Sequence, residues 1–214
     1  MTMKLTTRRF LSLLLLSASL GGALSACAPI IIGGAVVGSL MVSDRRTTGT
    51  QIEDEGIELR ASSRINENLG DRVHVNVTSY NRQVLLTGEV PNAQDKQLAE
   101  QVVAKVENVR SIVNELAVLG HSTLTQRSSD VLVTGKVKAR LVDASDLYAN
   151  AFKVVTERGT TYLMGRVTQR EANRATDIAR ATGGVQKVVR LLEVISEEEL
   201  QSLLPKPAPE EAKK

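Results

Sequence analysis

Ile57, Ala61 and Ile65 recur every fourth residue among polar neighbours, and Val133, Val137 and Leu141 do the same further along the chain. Such stripes predict amphipathic helices with one face toward a core. After the first stripe Val73, Val75 and Val77 alternate with polar residues, the pattern of a strand with one buried face. The segment "SYNRQ" turns the chain and Val84 to Val90 returns as a hairpin partner. Pro91-Asn92 ends that strand and Asn92 caps a helix striped by Leu98, Val102 and Val106, after which Val109 to Leu119 closes the sheet.

The same order returns at a period of about eighty residues. "VTSYNRQVLLTGEV" from Val77 is matched by "VTERGTTYLMGRV" from Val155, and "VRSIVNEL" from Val109 by "VQKVVRLL" from Val185. In copy one, Thr50-Gln-Ile-Glu53 has capping-box spacing and its helix runs to about Glu67. In copy two, Ser129 caps a helix through about Val142, and Phe152 to Thr156 and Thr161 to Val167 form a hairpin around "ERGT", with Gly159 suited to positive φ. Thr168-Gln-Arg-Glu171 is a further capping box, Gly183-Gly184 ends its helix, and Val185 to Ile195 is the last strand. Each copy reads α-β-β-α-β, an α+β domain with two helices on one face of a three-stranded sheet.

The N-terminus follows another logic. Lys4, Arg8 and Arg9 precede an apolar segment from Phe10 to about Leu20 and then small residues, the pattern of a secretory signal. As a membrane span it is too short. Leu24-Ser25-Ala26-Cys27 resembles the lipobox of bacterial lipoproteins. The resemblance implies cleavage before Cys27, with a diacylglycerol on its thiol and an N-acyl chain as the only added groups, and no other cofactor. Ala28 stands where aspartate would retain many such proteins in the inner membrane, so the same resemblance implies the outer membrane. Cys27 is the only cysteine, which excludes disulfides and thiol catalysis. The apolar run Pro29 to Val42, with Gly34 and Gly38 four apart, is too short to cross a bilayer and reads as a membrane-proximal linker.

The expected organisation is therefore a signal peptide at 1–26, a lipidated linker at 27–50, domains at 51–119 and 128–196 joined by 120–127, and a disordered tail from 197. Cleavage also changes the charge. Of 27 basic residues Lys4, Arg8 and Arg9 leave, so the mature chain balances 24 against 24 acidic ones. That balance hides an asymmetry: Ile52 to Leu119 carries 7 basic and 11 acidic residues, whereas Leu124 to Ile195 carries 12 and 7. A basic second half is a pointer to an anionic partner.

The "LLTGEV" and "YLMGRV" strands with Gly88 and Gly165, each followed by a capped helix and a valine-rich strand, resemble the BON domain. Two such domains behind a lipobox are similar to the dual-BON outer-membrane lipoproteins of Gram-negative bacteria. Copy one departs from the pattern in having no glycine in its hairpin turn. The resemblance implies a periplasm-facing protein that binds anionic phospholipid, phosphatidylglycerol or cardiolipin, mainly through its second domain and helps keep the outer membrane intact.

The residues agree with that implication. Leu132, Lys136 and Arg140 form one apolar and cationic stripe on the first helix of copy two, with Val131 and Lys138 nearby. Each Lys or Arg near an anionic surface contributes about 1 kcal/mol, and a leucine can dip among acyl chains. The bland alternative is that Lys136 and Arg140 merely solvate an exposed face. Nucleic acid is rejected, because the anchor lies outside the cytoplasm and aromatics for stacking are few. Catalysis has no foothold: His74 and His121, read as an exposed strand histidine and a linker histidine, lack metal-spaced partners, and no G-x-S-x-G or phosphate loop is present. Glu53, Asp54 and Glu55 read as carboxylates favouring a helix dipole. The rival function is a scaffold that recruits an envelope protein without recognising lipid.

Overall fold

The computed structural model describes residues 44–203. The signal segment, Cys27, the Gly34/Gly38 pair and the chain beyond 203 lie outside the described residues. The first domain contains α1 (Thr48–Leu69), β1 (His74–Tyr80), β2 (Gln83–Val90), α2 (Ala93–Ala104), β3 (Ser111–Asn114) and β4 (Ala117–Val118). The second contains α3 (Leu124–Asp143), β5 (Phe152–Glu157), β6 (Thr160–Thr168), α4 (Gln169–Arg180) and β7 (Lys187–Ile195), and is followed by α5 (Glu197–Leu203). Both follow the α-β-β-α-β order. In each the middle strand pairs antiparallel with its hairpin partner and parallel with the strand after the helix.

Core formation follows the stripes. Ile57, Ala61 and Ile65 meet Val84, Leu86 and Val90 of β2 and Ala99, Val102 and Val103 of α2. Val137 and Leu141 meet Leu163, Val167, Ala172, Ala175 and Ala179 in the second domain. A third cluster lies on the opposite faces of both sheets, where Tyr80 and Leu85 pack on Tyr162 and Met164. The domains therefore stack sheet against sheet, and β2 is buried on both faces from Val84 to Val90.

Several boundaries differ from the sequence reading. Thr47, not Thr50, caps α1, and Thr50 donates its backbone N–H to the Thr47 hydroxyl. The helix of copy two starts at Leu124 rather than at Ser129, because Thr123 and Gln126 close a reciprocal capping box within the expected linker. The tail begins as α5, with Leu200 buried and Arg166 holding Glu199. Asn114 Oδ1 accepts the Leu116 N–H, and the closing strand of copy one is split there. α4 ends at Arg180 ahead of the glycine pair, and Gly184 instead sits where a Cβ would meet Val133 Cγ2 at 2.5 Å.

Gly88 is required twice over. Its φ is +112°, and a Cβ there would stand 2.0 Å from the His74 carbonyl oxygen across the hairpin. Gly165 is its counterpart, 2.5 Å from the Ala151 carbonyl oxygen. Gly88→Ala is expected to destabilise the protein by about 3 kcal/mol, a larger loss than Gly165→Ala, where φ is ordinary. Urea titration of both variants checks the order.

Candidate membrane-docking surface

Two aspartates fix the helices on which the surface is built. Asp130 of α3 accepts the backbone N–H groups of Arg158 and Gly159 at 2.8 and 2.9 Å, the two positive-φ residues of the β5–β6 turn. Asp54 of α1 does the same for Asn81 and Arg82, both at 2.8 Å, which adopt φ 49° and 64° without a glycine. The carboxylate compensates the turn that lacks glycine. Asp54 therefore clamps a hairpin rather than serving the α1 dipole.

Matching Asp54 to Asp130 aligns the two first helices. Val131 then stands opposite Glu55, Leu132 opposite Gly56, Lys136 opposite Arg60, Lys138 opposite Ser62 and Arg140 opposite Arg64. α1 carries two basic and five acidic residues, α3 four basic and two acidic. One scaffold thus presents an acidic helix in the first domain and a basic, apolar one in the second.

At about 100° per residue, the direction opposite the buried Val133–Val137–Leu141 stripe is held by the ridge Leu124, Ser128, Val131, Leu132, Gly135, Ala139 and Val142. Lys136 and Lys138 flank it, one at each edge, since residues two apart on a helix point about 160° away from each other. Leu124 is 79 % exposed, Val131 70 %, Leu132 65 % and Val142 68 %, and Tyr148 in the loop beyond is 52 % exposed. The structure thus brings Val131, Leu132, Lys136 and Lys138 onto one surface. Among the described residues the ion pairs of this domain engage Arg45, Lys153, Arg158, Arg166, Arg174 and Arg180, leaving Lys136 and Lys138 without a carboxylate partner.

Arg140 is turned to the side. Its guanidinium donates to the Ala181 carbonyl oxygen at 2.7 Å, at the C-terminal end of α4. Arg64 makes the matching bond to the Lys105 carbonyl at the end of α2. This is a helix-end contact common to both domains, so Arg140 differs from the two lysines in having a structural partner. Leu124 and Val142 belong to the same surface and were not read from sequence. An earlier helix start would have placed Leu124 on it, and the i, i+4 step from Lys138 to Val142 was the available signal for Val142.

The seam between the domains carries most of the buried charge. Arg45 is 7 % exposed and meets both oxygens of Glu171 at 2.7 Å, while Arg46 pairs with Asp54 at 2.8 Å and lies 4.2 Å above the Tyr80 ring. Adjacent arginines therefore grip opposite domains. Elsewhere in the seam Glu89, 1 % exposed, is met by His74 Nδ1 at 3.1 Å, Ser122 Oγ at 3.2 Å and Arg158 at 3.4 Å. His74 is thus a half-buried hydrogen-bonding residue, not an exposed strand histidine. Burial works to raise the carboxyls of Asp54, Glu89 and Glu171, but their hydrogen bonds outweigh it and hold all three below the ordinary value.

Among the described residues no helix is long and apolar enough to cross a membrane, and no group of three metal-ligating side chains converges. The BON domain model matches residues 53–120 and 129–196. The chain is 37 % identical over 174 residues to "Outer membrane lipoprotein DolP" of Haemophilus influenzae, covering 80 % of this chain and 90 % of that protein. It is 32 % identical to the "21 kDa hemolysin" of Actinobacillus pleuropneumoniae, covering 71 % and 79 % respectively. To "Osmotically-inducible protein Y" of Escherichia coli it is 26 % identical, covering 71 % and 77 %.

Proposed function

The chain belongs to the BON-domain family, and on that premise we propose that it is a lipid-anchored outer-membrane protein whose second domain docks on anionic phospholipid. Cys27 carries the acyl chains, and the domain faces the periplasm. α3 lies against the headgroups: Val131 and Leu132, with Leu124 and Val142, enter the apolar boundary, while Lys136 and Lys138 pair with phosphates. Arg140 contributes long-range charge from the flank. The single observation that carries the reading is an apolar ridge edged by unpaired lysines on the second domain, where the matching positions of the first domain are Glu55, Gly56, Ser62 and an Arg60 that is paired with Glu53.

Anchor and domain reinforce each other. Two or more acyl chains hold the chain at the membrane stably, and the tether raises the effective concentration of α3 at the surface. Docking of this kind is non-catalytic, and envelope integrity would follow from the protein's hold on the bilayer. Phosphatidylglycerol and cardiolipin supply the required negative charge.

The chain has no tryptophan, so Leu132→Trp creates a unique fluorescent reporter on the ridge. Its emission is expected to shift to the blue with phosphatidylglycerol vesicles and to stay at the water-exposed position with phosphatidylcholine. An unshifted spectrum with both lipids would remove α3 from the membrane contact.

A further inference from the structure

A groove of about 390 Å³ opens between β1 of the first domain and α3 and β5 of the second. Val131, Val154 and Val155 form its apolar wall, and Val131 also belongs to the α3 ridge. His74, Asn76, Arg127 and Glu157 converge on it. A pocket of this size with apolar walls and a few convergent polar groups is the usual form of a small-ligand site.

Glu157 is the unusual member. It is 8 % exposed, and its Oε2 accepts one hydrogen bond, from Asn76 at 2.9 Å. Its Oε1 makes no hydrogen bond to the described residues and is not closed off from solvent. The carboxylates within electrostatic reach are committed elsewhere: Asp130 to the β5–β6 turn, Glu89 to His74, Ser122 and Arg158. Burial first, then Glu89 and Asp130, push the Glu157 carboxyl above its ordinary value, so a cation placed against it would relieve both. Arg127, also on the groove, spends only Nε, on Ser122 Oγ at 3.0 Å, and keeps its terminal nitrogens for an anion.

We propose that this groove binds the phosphoethanolamine group, its ammonium on Glu157 and its phosphate on Arg127. A largely buried carboxylate with one oxygen open to the groove, and a guanidinium on the same groove, suit a zwitterion. The apolar wall continuing through Val131 onto the α3 ridge suits a headgroup still attached to its lipid. The site goes beyond the docking of α3 on anionic lipid and uses neither Lys136 nor Lys138. A primary ammonium supplies the N–H donors that Glu157 lacks, whereas the quaternary ammonium of phosphocholine supplies none.

The test is calorimetric titration of the full chain with free O-phosphoethanolamine and with phosphocholine. Vesicles mixing phosphatidylglycerol with either phosphatidylethanolamine or phosphatidylcholine, at equal negative charge, separate the sources. Free phosphoethanolamine is expected to bind at least about tenfold more tightly than phosphocholine. Glu157→Gln keeps the Asn76 contact and removes the charge, and should lose about tenfold in that affinity while retaining the wild-type melting temperature and binding to pure phosphatidylglycerol vesicles. A preference for phosphatidylethanolamine vesicles identifies the lipid as the ligand, and binding of the free compound alone assigns the groove to a soluble phosphoamine. Equal binding of the two headgroups, no binding of either, or unchanged affinity in Glu157→Gln overturns the proposal. Lys136→Glu/Lys138→Glu should leave phosphoethanolamine binding intact, so failure of α3 docking and failure of this site are read separately.

Discussion

Replacing Asp54 by alanine is expected to lower the stability of the protein by about 3–5 kcal/mol, the range seen when a buried charge loses its partner. Asp54 is 1 % exposed and accepts from Ser79 Oγ at 2.7 Å and from Asn81 N, Arg82 N and an Arg46 nitrogen, each at 2.8 Å. Its removal strands two backbone N–H groups in a turn whose central residues both hold left-handed conformations, a cost of about 1–2 kcal/mol each for non-glycine residues. It also leaves Arg46 without one of its two carboxylates. Asp130→Ala should cost less, since Gly159 takes one of the two left-handed positions in that turn. Chemical denaturation of both variants checks the order, and a loss under about 1 kcal/mol for Asp54→Ala would contradict the clamp.

The same group sets an acid limit. Asp54, Glu89 and Glu171 titrate lower in the folded chain than in the unfolded one, so their stabilisation is present above the ordinary carboxylate range, about pH 4–5, and is lost as pH falls through their folded values. Glu157 is shifted upward and opposes them, its contribution being lost as pH rises through its folded value. With these three buried groups and the more accessible Glu53 and Glu198 shifted downward against Glu157 alone, stability is expected to fall on acidification below about pH 4, with a shallower slope in Asp54→Ala.

Reversing Lys136 and Lys138 to glutamate is expected to abolish binding to anionic vesicles. Each lysine contributes about 1 kcal/mol near such a surface, and each reversal replaces attraction by repulsion, so the pair should cost on the order of a hundredfold or more in affinity. Both side chains are exposed and without carboxylate partners among the described residues, so stability should change by less than about 0.5 kcal/mol. Arg140→Glu alone should weaken binding less, because its guanidinium is already engaged at Ala181. Equal losses from all three positions would show that net charge matters rather than the ridge.

The fold was legible because each domain repeats its local signals. The stripes at Ile57 and Val133, the alternating valines of β1 and the caps Asn92 and Thr168 act within a few residues, where sequence reading is strongest. The seam was not legible. Leu85, Tyr162 and Met164 sit on sheet faces that a lone domain would turn to water, and nothing in their spacing says that a second sheet covers them. Arg45 and Glu171 stand 126 residues apart in the chain, so their ion pair has no local pattern.

For the candidate site, helix periodicity found Leu132 and Lys136 and placed Val131 and Lys138 near them. The ridge centre emerged only once the buried stripe and the true helix start were known. Arg140 was not legible in this way, because a cation on an outward position can still be held by a carbonyl of the neighbouring helix.

The central claim is that the second domain recognises anionic lipid by itself. Co-sedimentation of residues 44–214, which lack Cys27, with vesicles of phosphatidylglycerol, cardiolipin or phosphatidylcholine tests it most directly. The account predicts pelleting with the two anionic lipids and not with phosphatidylcholine, weakening as salt rises and lost in Lys136→Glu/Lys138→Glu. Folded protein that stays in the supernatant with all three lipids at low salt would contradict it.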